Sequence, residues 1–256
     1  MSVLDSIIAG VREDLAARRL PLSQLREKLE SAPPVIDAHP GLKGERVSVI
    51  AEVKRSSPSK GELSTIADPG KLAEQYQSAG ASVISVLTEE RRFSGSLADL
   101  ATVRGAVQIP ILRKDFMVDE YQFYEARAYG ADVVLLIVAA LSNPQLKDYF
   151  EMATELGMAS VIEVHTHEEL ERAMEIKPRI IGINSRNLKT LEVDQRAFAQ
   201  LLPEIPSEII RVAESGISTR SEVESAEGFG ADAILVGEAL VRAGDPISTL
   251  QALRGL

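Results

Sequence analysis

No cysteine occurs anywhere in the chain, which excludes disulfides, thiolate metal sites and a cysteine nucleophile. Positive charge is also short. Lys and Arg number 28 against 38 Asp and Glu, a formal net charge of −10. That balance argues against a general nucleic-acid binder and against adhesion to anionic membranes. It still permits an anionic small substrate in a locally basic site. Long apolar runs are missing as well: the longest, Val133–Leu141, is too short to span a bilayer. Near the N-terminus Asp5, Arg12, Glu13 and Asp14 sit in a helical pattern, not ahead of an apolar signal core. A soluble cytoplasmic protein is therefore expected. Histidines are few. His165 and His167 flank Thr166 and His39 lies apart, so no metal pair at helical spacing exists, and loop histidines and no bound metal are expected.

The 256 residues suffice for one large α/β domain or two small ones, with charged and apolar residues in ordinary globular proportion. Val3–Leu29 carries an apolar stripe through Leu4, Ile7, Ile8, Val11 and Leu15, which predicts a helix that Pro21 breaks in two. Ser31–Pro40 reads as a linker. Thereafter one unit repeats: a short β-branched run, a polar turn, then an amphipathic helix. Strands are expected near Val47–Lys54, Ser82–Thr88, Pro110–Phe116, Val133–Ala139, Ser160–Val164, Ile180–Asn184, Ile209–Glu214 and Ala233–Val236. The joints agree. Ala79-Gly80-Ala81, Tyr129-Gly130-Ala131 and Phe229-Gly230-Ala231 are nearly one helix-ending joint used three times. Asp68-Pro69, Ser142-Asn143-Pro144 and Asp245-Pro246 carry helix-start chemistry.

Eight βα units in this length match a single (β/α)8 TIM barrel, residues 46–256, with a helical extension over residues 1–45. An open doubly wound sheet is the rival. The balance tips on polar residues at the carboxyl ends of five strands, where such a barrel builds its site. They are Glu52 and Lys54, Lys114, Glu163, Asn184 and Arg186, and Glu214. Each shares its strand face with an apolar residue or glycine just before it. On the third strand Arg113 and Asp115 take the opposite face. Two lysines and three carboxylates in one dry mouth could tune one another's proton affinity. Ser215-Gly216 and Gly237-Glu238 follow the last two strands, where this barrel usually binds phosphate through backbone N–H groups. Ser57 in the first loop could add a hydroxyl.

These segments resemble one family closely. Glu52-Val53-Lys54-Arg55-Ser56-Ser57-Pro58-Ser59, Leu112-Arg113-Lys114-Asp115-Phe116, Ile183-Asn184-Ser185-Arg186-Asn187-Leu188, Ala213-Glu214-Ser215-Gly216-Ile217 and Leu235-Val236-Gly237-Glu238-Ala239-Leu240 are similar to the motifs of indole-3-glycerol-phosphate synthases, in the same order. The resemblance implies a carboxy-lyase of tryptophan biosynthesis that uses no cofactor or metal. Its substrate would be 1-(2-carboxyphenylamino)-1-deoxyribulose 5-phosphate, closed to indole-3-glycerol phosphate with loss of carbon dioxide and water. It implies Lys114 as general acid on the ribulose carbonyl and Glu163 in proton transfer after ring closure. Lys54 would hold the substrate carboxylate or protonate the departing hydroxyl, and the sequence leaves open which lysine serves which step. Glu52, Asn184 and Glu214 would orient these groups and the sugar hydroxyls. Ser57, Gly216, Gly237 and the backbone at Glu238, with Ser215 close by, would take the phosphate. Phe93, Phe116, Leu135 and Leu188 would pack the anthranilate ring, and Arg186 would also bind substrate. The N-terminal helix would lie over the mouth. The loop Thr88–Ser96 departs from the family at Glu89 and Arg92, which puts its packing in question.

Two other enzyme and non-enzyme readings fit a barrel of this kind: a Schiff-base aldolase with Lys114 as nucleophile, and a phosphate-ligand-binding barrel without turnover. Gly228–Ala233 spells a GxGxxA but precedes a strand, whereas a dinucleotide fingerprint follows one. Glu168, Glu169 and Glu171 read as a solvated helix start. The absence of a fused second domain suggests a monomer.

Overall fold

Alternation of apolar runs with amphipathic helices produces a closed parallel barrel in the computed structural model, which describes residues 2–188 and 190–256. The strands are β1 (Ser48–Val53), β2 (Val83–Leu87), β3 (Ile111–Lys114), β4 (Val133–Ile137), β5 (Ala159–Val164), β6 (Ile180–Asn184), β7 (Ile210–Glu214) and β8 (Ala233–Val236). Strand β1 closes the ring, pairing with β8 at Ile50–Leu235 and with β2 at Glu52–Ser85. The open-sheet alternative is thereby removed. Buried residues run unbroken along most strands, as expected where one face fills the barrel and the other meets the helices.

The repeated joint is real and has one hydrogen-bond pattern. Ala81, Ala131 and Ala231 each donate to the carbonyl five residues back, at 2.9 Å, across Gly80, Gly130 and Gly230 in the left-handed region. This is the helix-ending motif that favours glycine. Helix starts are capped as their sequences predict: Asp68 accepts from Lys71 N–H, Ser142 forms a capping box with Gln145, and Asp245 accepts from Ile247 and Ser248 N–H.

The N-terminal pattern breaks at Pro21 into α1 (Val3–Arg18) and α2 (Leu22–Ser31). Leu15, Leu25 and Tyr121 make a small apolar cluster that ties both to the helix Tyr121–Ala128. Charged groups pin α1 across the loops at the carboxyl ends of the strands. Arg91 pairs with Glu13 and Asp14, and Arg18 with Glu125. Ala38 and Leu42, both buried, then carry the chain to the opposite end, where Ser48 Oγ donates to Gly41 O at 2.8 Å. Three local expectations need correction. The stretch read as linker ends in a short helix, His39–Leu42. Strand β4 stops at Ile137, and Val138–Ala140 is a 3-10 turn. The first loop contains a two-residue hairpin, Ser56–Ser57 against Gly61–Glu62. All three are too short for periodicity to reveal. No helix among the described residues is long and apolar enough to cross a membrane.

Candidate active site

Register places the predicted polar residues on one rim. Glu52 lies opposite Ser85, Lys114 opposite Leu87, Glu163 between Ile137 and Gly182, and Asn184 opposite Glu214. Alternation turns all of them to the inside of the barrel, and there they line a cavity of about 120 Å³. Fifteen of the sixteen predicted site residues line it: Glu52, Lys54, Phe93, Lys114, Phe116, Leu135, Glu163, Asn184, Arg186, Leu188, Glu214, Ser215, Gly216, Gly237 and Glu238. Ser57 stands outside the lining, its Oγ buried and without a hydrogen-bond partner. Leu87, Asp115, Ile137 and Ile217 line the cavity as well, with no signal in the sequence beyond their nearness to strand ends.

Lys114 is the electrostatic centre. Its Nζ donates to Glu163 Oε2 at 3.0 Å and lies 3.4 Å from Glu214 Oε2. Burial works against its charge, but Glu163, Glu214 and Glu52 outweigh it, so the proton is held more tightly than on a free lysine. Burial likewise opposes charge on Glu163, yet Lys114 and His165 overcome it and hold that carboxyl well below the usual carboxylate range. Glu214 goes the other way. Burial, against the pull of Lys114 and aided by Glu163 and Glu52, pushes its carboxyl up to about 7. Lys54 Nζ pairs with Glu52 Oε1 at 2.7 Å, while Ser85 Oγ donates to Glu52 Oε2 at 3.4 Å.

Both oxygens of Glu214 and Oε1 of Glu163 are buried without a hydrogen-bond donor. Buried acceptors left open are costly unless a ligand supplies donors. A polyhydroxylated molecule fits that demand. Phe93 and Phe116 form one wall, ring centroids 6.3 Å apart at 41°. Directly after Glu214, Ser215 and Gly216 are successive residues in the left-handed region, and Gly237, which packs against the Glu52 side chain, precedes the short helix Glu238–Arg242. Turns of this kind bring successive backbone N–H groups together, a concavity suited to anions.

The loop after β2 holds its shape despite its unusual residues. Glu89 accepts from Arg91, Arg92 and Phe93 N–H, capping the helix Glu90–Phe93, and Arg92 Nη2 donates to Ser6 Oγ of α1 at 3.2 Å. That short helix presents Phe93 to the cavity. Outside the barrel wall, Arg113 is fully buried and donates to Asp115, Glu125, Thr88 Oγ1 and Gln122 O. One strand thus carries Lys114 inward and a buried ion network outward.

Sequence reasoning set His165 aside as a loop histidine. It does not line the cavity but stands behind Glu163, with Nε2 3.3 Å from Glu163 Oε1, an ion-pair distance without hydrogen-bond alignment. Its Nδ1 lies 3.0 Å from Glu169 Oε2. Burial opposes its charge, but Glu163 and Glu169 raise its pKa to about 9, so it is an imidazolium at neutral pH. Glu169 is therefore no merely solvated helix residue: it also accepts from His165 N–H at 2.8 Å. His167 is exposed, near Glu171 and Glu204. The described residues contain no cluster of His, Cys, Asp and Glu that could hold a metal.

A family model described as indole-3-glycerol phosphate synthase matches residues 4–253. The chain belongs to the indole-3-glycerol phosphate synthase family. The synthase of Kineococcus radiotolerans is 57% identical over 253 residues, covering 96% of this chain and 92% of its own. That of Rhodococcus opacus is 56% identical over 248 residues, with the same coverage. Indole-3-glycerol phosphate synthase 1 of Streptomyces coelicolor is 54% identical over 255 residues, covering 99% of this chain and 95% of its own. Among solved structures, a 3-hexulose-6-phosphate synthase superposes with a TM-score of 0.65 at 14% identity, over 82% of this chain and 98% of its own. That likeness speaks to the barrel alone. As a synthase of this family the chain is a carboxy-lyase of tryptophan biosynthesis, forming indole-3-glycerol phosphate by ring closure, decarboxylation and dehydration.

Proposed function

We propose that the synthase reaction runs in the cavity around Lys114, with the carboxyphenylamino ribulose phosphate as its substrate. The observation that carries this reading is one ammonium shared between two buried carboxylates beneath an aromatic wall, beside an anion-shaped backbone turn. The substrate's phosphate sits against Ser215, Gly216, Gly237 and the Glu238 N–H. Its carboxylate meets Lys54, and its aromatic ring lies along Phe93, Phe116, Leu135 and Leu188, with Arg186 at the edge. Sugar hydroxyls satisfy the open oxygens of Glu214 and reach Asn184.

Chemistry follows from this pose. The ring carbon bearing the carboxylate attacks the ribulose carbonyl, and Lys114 donates to the oxygen as negative charge builds there. Carbon dioxide leaves, and the released electron pair restores aromaticity. Glu163 removes a proton from the carbon that becomes position 2 of the indole, while a second acid, Lys54, protonates the departing hydroxyl. Two protons are given and one is taken, so each turnover takes up one proton from solvent. Glu163 and Lys114, 3.0 Å apart, exchange the proton that resets the pair.

A Schiff-base aldolase needs a neutral lysine. The carboxylates around Lys114 favour the ammonium instead, which fits an acid and not that nucleophile. Lys114→Ala should leave the fold intact by circular dichroism and abolish indole formation followed by fluorescence. Near wild-type turnover in that variant, or a borohydride-trapped substrate adduct on Lys114, would overturn the assignment. Tight product binding by the unaltered chain without turnover would favour a binding protein.

A further inference from the structure

Glu163 has two cationic neighbours, and the reaction as derived uses only one. Lys114 holds Oε2; Oε1 faces His165 Nε2 at 3.3 Å. The ring cannot swing away, because Glu169 grips both its Nδ1 and its backbone N–H. Glu169 itself is placed by the first turn of the helix His167–Glu175, where its N–H bonds Thr166 Oγ1. The space beside the ring is lined by Leu4 of α1, Ala139, Thr166, Asn187 and Leu188. Among the described residues the charged side chains facing the ring are therefore Glu163 and Glu169. Those facing Glu163 across the barrel are Lys114 from β3 and Glu214 from β7, with Glu52 of β1 beyond them.

We propose that His165 is a positioning residue, clamped by Glu169, whose charge biases the proton shared by Glu163 and Lys114 toward the lysine. The proposal rests on the reading of Glu163 as the base. Once Glu163 has taken the proton from carbon, the pair must return to carboxylate and ammonium before the next turnover. A fixed positive charge behind the carboxylate opposes its protonated form and drives that return. No bond to substrate is involved, and the ring keeps its own protons throughout.

The test is a pH profile. His165→Gln puts a neutral amide donor close to where Nε2 stands, so charge is removed with little change in shape. Without the charge, Glu163 binds its proton more tightly, and the acid limb of kcat moves to higher pH. The ratio of wild-type to variant kcat should widen about three- to tenfold between pH 7 and pH 4. Glu169→Gln, which leaves His165 in place, should widen it in the same direction by less. It should also lower the imidazole titration of His165 seen by NMR, a signal identifiable among three histidines as the one kept in both His39→Gln and His167→Gln. If His165→Gln fails to fold, the Glu169→Gln profile and titration decide. A constant ratio across the range, or a His165 titration unmoved by Glu169→Gln, overturns the proposal. Glu163→Gln separates the two claims: turnover surviving in that variant defeats the assignment of the base. Loss of turnover there with a flat His165→Gln ratio defeats only the role of His165.

Discussion

Gly182 is the residue whose side chain the site can least tolerate. It sits on β6 between Glu163 and Val212 of the neighbouring strands. A methyl group there would overlap Glu214 Oε1 and lie 3.2 Å from both Glu214 Cδ and Val161 Cγ1. Restoring ordinary contact would drive the carboxylate back by about 1 Å. Glu214 is almost fully buried, with its other oxygen 3.4 Å from Lys114, so it cannot retreat without disturbing the ammonium. A displacement of about 1 Å at a reacting centre can cost about a hundredfold in rate, or about 2.7 kcal/mol in the barrel's transition-state binding. Overpacking adds about 1–3 kcal/mol of lost stability. Gly182→Ala should therefore lower kcat/KM about a hundredfold in the indole fluorescence assay, while circular dichroism shows a folded chain of reduced Tm. Adding Glu214→Asp shortens the side chain by about 1.5 Å and should restore part of the lost Tm without restoring the rate. Activity of Gly182→Ala within about threefold of wild type, or a double variant no more stable than the single one, would refute the reasoning.

Three further outcomes follow from the same geometry. Burial pushes Glu214 up to about 7 from an ordinary 4.5, so the folded chain favours its proton. The resulting stability is full below about pH 4.5 and is lost as pH rises through 7. Glu214→Gln should remove that loss, its Tm rising relative to wild type from pH 5 to pH 8; a Tm that falls relative to wild type over that range would show the sign to be wrong. Arg113→Met strips the cation from buried Asp115 and Glu125 and should cost about 3–5 kcal/mol in urea unfolding; a cost under 1 kcal/mol would show that the network relaxes. Gly216→Ala puts a methyl at φ 74°, 2.8 Å from Val193 Cγ1. It should raise KM for the phosphosugar about tenfold or more with a smaller effect on kcat, and an effect confined to kcat would remove Gly216 from the phosphate site.

Lys114, Glu163 and Glu214 were legible in sequence because strand geometry is simple. A polar residue one step beyond an apolar one on the inward face of a buried strand looks into the barrel mouth. His165 was not, although it lies only two residues past Glu163. Its position depends on the turn that Thr166 and Glu169 make together, and a histidine just outside a strand carries no periodicity to show it. Glu169 was hidden among Glu168 and Glu171, which are exposed, because neighbouring acids on one helix turn look alike until one folds back. Arg113 announced which face it took but not its partners, which come from Thr88, Asp115, Gln122 and Glu125. Glu89 and Arg92, unusual for the family, proved compatible with the loop because one caps its helix and the other reaches α1.

Carboxylate excess at the mouth of a site proposed to take a doubly anionic substrate looks like a contradiction until the charges are placed. Glu52 is occupied by Lys54, and Glu163 by Lys114 on one oxygen and His165 on the other. Glu214, pushed up to about 7, carries much less than a full charge near neutral pH, so it can accept or donate to sugar hydroxyls while adding little repulsion. In the proposed pose the phosphate meets the backbone at Ser215, Gly216 and Gly237. The acids favour the protons on Lys114 and His165 in a buried place where burial by itself works against charge. The site is one coupled set of protons, and removing any single charge should be read first in its pH profile and only then in its rate.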